Sequence, residues 1–269
     1  MRLRPWLAKL SFAALAIAVL TGLAASLGTR LGFWDYRFGL FVLFPWCLIA
    51  GAVALVFGLV WVLWAVIANR GEAARYGVIG ALGAIALLAM PLYDISLAVT
   101  SPQIHDISTD IEHPPPFVAL LPLRQADARD GRDITPANYD GGRPARGPDG
   151  RTETTAALQK KYYPDIHPRA DLTSPEKFFD RALKTAYRMG WHVVAVVPQE
   201  GRIEATDTSL WFGLTDDIAI RVKPAGQGVR LDIRSKSRDD MSGTPFGPTD
   251  MGANAASIRS FLKTLSDTY

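Results

Sequence analysis

Three long apolar runs occupy the first third of the chain, and the pattern changes abruptly after them. Leu10–Leu27 is apolar or small and follows Arg2, Arg4 and Lys9; Phe38–Ala68 carries no charge; Tyr76–Leu92 is closed by Pro91 and Asp94. Runs of this length, wound as helix, match a hydrocarbon layer of about 30 Å. They predict three membrane-spanning helices over about 7–27, 42–67 and 76–97. The second run exceeds what one span needs, so either Phe38–Phe44 lies in the interface with Pro45 early in the helix, or the helix tilts. Trp6, Trp34, Tyr36 and Tyr76 fall near the span ends, where amphipathic rings prefer to sit. The basic start followed by LAAS at 23–26 also fits a cleavable signal peptide, which leaves the fate of the first span open.

Beyond residue 99 the periodicities are those of a globular unit. Residues 100–171 read as an extended linker and irregular surface loop: Pro114–Pro116 is a stiff spacer, and 124–161 is rich in Gly, Pro, Asp and Arg, with one short helix at Thr155–Lys161. Residues 172–269 read as a compact domain. Leu172–Gly190 is a helix with Thr173 or Ser174 as cap, Pro175 in its first turn and Gly190 as its stop. Phe178, Phe179, Ala182, Leu183, Ala186 and Met189 share one face of it. Strands follow at Trp191–Pro198, Arg202–Phe212, Ile218–Lys223 and Val229–Ser237, with short turns between them, so neighbours pair antiparallel. Ile218, Ile220 and Val222 alternate with polar or small residues, as do Val229, Leu231 and Ile233, which predicts one buried sheet face and one wet face. A last helix, Asn254–Ser266, completes the order α-β-β-β-β-α. The expected fold is a membrane-anchored α+β protein: three transmembrane helices, then a two-layer α/β sandwich with an antiparallel four-stranded sheet.

Charge separates the two parts further. Residues 1–99 hold seven Lys/Arg and three Asp/Glu, and the remaining 170 hold 22 and 23, so the formal +3 divides into +4 and −1. The pI near 9.0 therefore comes from arginines flanking the membrane, and nucleic acid is excluded as a partner. Five Lys/Arg flank one side of the spans (Arg2, Arg4, Lys9, Arg70, Arg75) and two the other (Arg30, Arg37). The positive-inside rule then puts the N-terminus in the cytoplasm and the C-terminal domain in the periplasm of an inner membrane. No charge lies mid-span, which argues against a transporter or channel. Ala14, Ala18 and Gly22, and Gly77, Gly80, Ala81 and Ala84, place small residues at helical spacing. They suit packing within one three-helix hairpin or a homo-oligomer. The single cysteine, Cys47, excludes an internal disulfide.

Seven short stretches carry a resemblance: DISTD at 106–110, PPPF at 114–117, YPDIHP at 163–168, IEAT at 203–206, DD at 216–217, RSKSR at 234–238 and DMGAN at 250–254. Through them the chain resembles, over about residues 106–266, a bacterial and plastid family known as domain of unknown function 1499. It departs from the family pattern in a longer loop around Ser242–Pro248, and in Ser257, with Arg259 two positions later. The resemblance implies the domain and its polar cluster, and no activity.

Candidate chemistry concentrates in Arg230–Ile258. Arg234, Ser235, Ser237, Arg238, Asp250 and Asn254, with Asp217, form the expected ligand-binding set. As a latch, Asp250 and Asn254 tie the loop to the last helix and the serines bond that loop. As an anion site, the helix N-terminus and two exposed arginines receive a phosphate or carboxylate headgroup. Asp217 has a simpler role in pairing to a nearby arginine. No catalytic set is recognisable: G-x-S-x-G and G-K-[ST] are absent, and Asp216 and Asp217 are adjacent on a strand and so point to opposite faces. His105, Asp106, Asp110 and His113 match no standard metal spacing, and no cofactor is expected. Two functions stand against each other: a membrane-anchored module binding an envelope protein or an anionic amphipathic ligand, and an unrecognised enzyme acting on envelope lipid or glycan. A filled site at Arg234 and Asn254 favours the scaffold, an open cleft the ligand.

Overall fold

The computed structural model describes residues 6–244 and 247–267; Arg2 and Arg4, used in the orientation argument, lie outside them. The chain divides into two compact units, Met1–Ser96 with Leu210–Gly213, and Leu97–Ser209 with Leu214–Tyr269.

The first unit holds three helices long and apolar enough to cross a membrane. They are α1 (Trp6–Arg30), α2 (Phe44–Ile67) and α3 (Gly71–Thr100). Pro45 sits in the first turn of α2, where the helix changes from a π to an α winding. The preceding Phe38–Leu43 winds as a wider π-helical turn. α3 runs through Pro91 and so extends past both of its expected ends. The small residues are used inside the unit: a Cβ on Gly77 would come within 2.6 Å of the Gly58 carbonyl oxygen. Ser11 Oγ donates to the Ala54 carbonyl at 2.8 Å, and Trp61 Nε1 to that of Ala73 at 2.8 Å, which joins α1 to α2 and α2 to α3.

The second unit is larger than 172–269. Residues 100–171, expected as linker and loop, contribute β1 (Asp106–Ser108), α4 (Leu121–Arg129), the hairpin β2 (Pro144–Arg146) with β3 (Thr152–Thr154), α5 (Thr155–Tyr162) and β4 (Arg169–Asp171). Then come α6 (Pro175–Arg188), β5 (His192–Val197), β6 (Arg202–Thr208), β7 (Thr215–Ala225), β8 (Gly228–Ser237) and α7 (Ala253–Ser266). The expected four-stranded sheet is therefore six-stranded. Its order is β1-β8-β7-β6-β5, with β4 pairing β8 on the same edge as β1. β1 and β4 are only three residues long, too short for a periodicity to announce them, and each is fixed by its partner in β8.

The two helices land where their sequences predict. The Ser174 hydroxyl accepts from the Lys177 N–H at 3.3 Å at the start of α6, and Gly190 ends it at φ +78°, a conformation that favours glycine. α6 and α7 cover one sheet face. Phe178, Phe179, Ala182, Phe261, Ile258 and Leu265 meet Ile203, Ile218, Ile220, Leu231 and Ile233 there, and the Trp191 and Phe261 rings stack at 5.3 Å.

The opposite face is not wet. Asp106, Glu204, Asp217, Asp232, Arg234 and Lys236 all lie on it and are all buried. The segment 109–140 covers them, with Phe117 and Leu120 packed on Ala219 and the Arg234 guanidinium 4.4 Å from the Phe117 ring centre. Alternation of apolar and charged residues was correctly a strand signal, but the charged half is buried by pairing rather than by water.

Candidate functional site

The seven predicted site residues do not form one site. β8 alternates its side chains between faces, so Ser235 and Ser237 go with Asp250 and Asn254, whereas Arg234 and Arg238 go with Asp217.

The first group closes on itself. Ser235 Oγ donates to Asn254 Oδ1 at 2.5 Å. Asn254 Nδ2 donates to Ser237 Oγ at 2.9 Å, to Asp250 Oδ2 at 2.8 Å and to the His105 carbonyl at 3.2 Å. Asp250, not Asn254, is the cap: its carboxylate accepts from the backbone N–H of Gly252 at 2.8 Å and of Asn254 at 2.9 Å. Asn254 itself is inside α7 and fully buried. At the start of α7 the Ala253 N–H donates to the Asp250 carbonyl at 3.0 Å and the Asn254 N–H to the Asp250 carboxylate, so the chain itself fills the place of an anion there.

The second group is an ion network. Asp217 accepts from Arg124 and from Arg238, and Arg238 Nη1 reaches Asp127 at 2.8 Å. Arg234 grips Asp106 in a two-pronged bond, Nε and Nη2 both at 2.8 Å. The Arg234 and Arg238 side chains are only 3% and 7% exposed, which corrects the expectation of solvated arginines open to a headgroup. Lys236 Nζ, fully buried, donates to the Asn138 carbonyl and to Asp140, both at 2.8 Å. Glu204 accepts three backbone N–H groups at the start of α4, from Val118, Ala119 and Leu120, at 2.9–3.0 Å, and also pairs with Arg202. Asp110 joins Arg230 at 2.8 Å and Arg221 at 3.1 Å. Arg124, Glu204, Arg221, Asp140 and Lys236 were missed as site residues. For Arg221 and Lys236 the signal lies in the register: Asp217 is opposite Lys236, and Arg221 opposite Asp232, so unlike charges face each other across β7 and β8.

The metal reading loses its ligands to the same network. Asp106 and Asp110 bind arginines, and His105 sets Nε2 3.2 Å from Asp140 Oδ2, a contact poorly aligned for a hydrogen bond, and Nδ1 2.9 Å from the Pro248 carbonyl. Among the described residues no group of three His, Cys, Asp or Glu could hold a metal ion. Burial disfavours the charged His105 ring, but the Asp140 carboxylate and the Pro248 carbonyl outweigh it and raise its pKa. For Asp140 burial acts upward, and His105 and Lys236 outweigh it to hold the carboxyl at about 2. Asp216 differs. It faces the latch, where the Ser237 hydroxyl donates to it at 2.8 Å, and burial, opposed by that bond and reinforced by Asp250 and Asp207, pushes its carboxyl up to about 7.

An open groove lies elsewhere, between the stretch leading into β4 and the C-terminal half of α7. Asp165, His167, Arg169, Arg259, Leu262 and Lys263 line a space of about 360 Å³. Asp165 and Arg259 form a two-pronged pair at 2.6 and 2.7 Å. Arg169 and Lys263 are exposed, and among the described residues neither has an acidic partner. A second cavity, beside His105 and Asp140, measures about 10 Å³, room for a water molecule at most. The sequence held one hint of the groove, Arg259 and Lys263 one turn apart on α7.

The family described as Protein of unknown function (DUF1499) matches residues 106–265. No curated protein and no solved structure matches the chain. The matched residues begin with β1 and end in α7, and they enclose both the latch and the ion network, so the chain belongs to the DUF1499 family.

Proposed function

We propose that this is a multi-pass protein of a bacterial inner membrane, N-terminus in the cytoplasm, whose periplasmic second unit binds an anionic amphipathic ligand presented by the envelope. The five-to-two Lys/Arg asymmetry across the spans supports the orientation. The observation that carries the ligand is the groove: Arg169 and Lys263, both exposed, line it together with the half-buried Leu262, which suits a phosphate or carboxylate on a short acyl body. The latch and the ion network serve as the scaffold behind it, since their side chains bond one another, whereas Asp165 and His167 of the YPDIHP motif line the groove itself.

Two measurements test this reading. Alkaline phosphatase fused after Tyr269 is active if the domain is periplasmic; an inactive phosphatase together with a fluorescent green-protein fusion reverses the orientation. Full-length protein in micelles, titrated with short-chain phosphatidylglycerol and with the corresponding fatty acid, separates a phosphate from a carboxylate headgroup. Arg169→Glu/Lys263→Glu is expected to weaken the preferred ligand at least tenfold with the melting temperature unchanged. Equal binding by the double variant removes the groove from the reading.

A further inference from the structure

The two ends of the sheet differ in character. At one end, the connection at 198–201 (PQEG) and the turn at Gly226–Gln227 are polar. At the other end, β6 and β7 are joined by Ser209–Leu214, SLWFGL. The Ser209 N–H donates to the Leu214 carbonyl at 2.8 Å, and the Leu214 N–H to Ser209 Oγ at 3.0 Å, which closes the tip. Leu210 is 74% exposed and Trp211 47% exposed, at the apex of a connection where polar residues are the norm.

The register shows which end this is. Asp106, the first residue of β1, pairs with Lys236, Lys236 with Asp217, and Asp217 with Thr206. β1 runs antiparallel to β8, so the chain that precedes it lies on the tip's side of that row, and the His105 carbonyl accepts from the Ser237 N–H at 3.0 Å there. Only residues 101–105 separate the last turn of α3 from β1, which limits the tether to roughly 20 Å even when fully extended. From Thr206 the strand continues to Thr208, so the tip projects roughly 10 Å past the row toward the end from which the tether comes.

We infer that the Leu210–Trp211–Phe212 tip is a second membrane contact, seated in the lipid–water interface of the leaflet from which α3 emerges. Tryptophan and leucine at one apex suit that layer, where the ring's apolar body is buried and its N–H stays wet. The occupant is lipid, because Leu210–Gly213 belongs to the compact unit of the three apolar helices and its leucine and tryptophan suit the interfacial layer around such helices. The inference uses α3 as a span; it is independent of the groove and of which compartment holds the domain.

The test uses the full chain in nanodiscs of phosphatidylcholine and phosphatidylglycerol. Cys47→Ala with Leu210→Cys carries an environment-sensitive nitrobenzoxadiazole label, and Gln227→Cys, at the polar end, is the control. The label at 210 is expected to emit to the blue of the control and to be quenched several-fold more by lipid bearing a nitroxide near the headgroup. Emission equal to the control, with quenching only by a water-soluble nitroxide, overturns the inference. A blue shift without lipid quenching overturns it too, and points to a second copy or another protein on the tip. A photoreactive benzoylphenylalanine at 210, with Cys47 kept, gives an independent answer if the cysteine-free chain does not fold: a lipid adduct supports the contact, and protein-only adducts refute it.

Discussion

On one face of the sheet, Ile218, Ile220, Leu231 and Ile233 meet α6 and α7; on the other, Asp217, Asp232, Arg234 and Lys236 meet the segment 109–140. Both faces are dry, and they are dry for different reasons. Each apolar side chain moved out of water on the first face contributes about 1.5–3 kcal/mol. On the second, the attraction between charges is largely offset by the cost of stripping their water, so such pairs contribute little net while their disruption is expensive. The first face therefore supplies stability, and the second supplies uniqueness. A one-residue slip of β8 would turn Arg234 and Lys236 onto the helices, and the segment 109–140 meets Glu204 with the N–H groups of 118–120, Asp217 with Arg124 and Asp106 with the Asp140 N–H.

The largest test of this contrast is deletion. A fragment starting at residue 97 keeps β1 and is expected to unfold cooperatively by circular dichroism. One starting at residue 113 lacks Asp106 and Asp110, leaves Arg234 without its carboxylate, and is expected not to fold. Equal melting curves would show the second face to be dispensable. Next comes Asp217→Ala, which removes the buried carboxylate shared by Arg124 and Arg238 and should cost about 3–5 kcal/mol in urea unfolding. Replacing Arg124, Asp217 and Arg238 together by Met, Leu and Met is expected to cost less than the single change; a larger loss would mean that the ions carry net stability.

Asn254→Ala opens the latch and leaves the buried Ser235 hydroxyl without its acceptor while Ser237 keeps Asp216, for about 2–3 kcal/mol, whereas Asp250→Ala removes the carboxylate that caps the start of α7, for about 1 kcal/mol. A reversed order would make the cap the stronger element. The pH dependence differs in sign from one titrating residue to the next. Asp140, held at about 2, stabilises the fold above the ordinary carboxylate range, and this is lost as pH falls toward 2; Asp140→Asn should flatten the acid limb. His105, raised, stabilises below about pH 6.5, and this is lost as pH rises through its folded value. Asp216, pushed up to about 7, costs stability progressively from pH 4 to 7. Asp216→Asn should therefore stabilise by about 1–2 kcal/mol at pH 8 and leave pH 4 unchanged. A uniform effect at both values would deny the raised pKa.

The pattern of the sequence made the apolar half legible. Phe178 and Phe179 on α6, Ile218 and Ile220 on β7 and Leu231 and Ile233 on β8 repeat at helical or strand spacing, and their burial follows directly. The charged half was misread because Arg234, Lys236 and Arg238 repeat at the same spacing as solvated residues. What separates the two cases is the partner, and Asp106, Asp127 and Asp140 lie about a hundred residues away in a stretch whose Gly and Pro content reads as loop. The three apolar helices were legible by length alone, apart from the π-helical turn before Pro45. The groove at Arg169 and Lys263 joins two elements that no local period connects.

The pairing of β1 with β8 also sets an order of events in synthesis. Asp106 and Arg234 are 128 residues apart, and β1 is the first strand to leave the ribosome. It emerges directly behind α3 and has nothing to pair with until the last strand has been translated. Long-range pairings of this kind close slowly, and domains ordinarily fold as their own segments appear. Here the first strand of the second unit waits for the last sixth of the message. Until then its acids and arginines are tethered, hydrated and unmatched, so a nascent chain stopped before β8 stays unfolded at the membrane surface however long it is given.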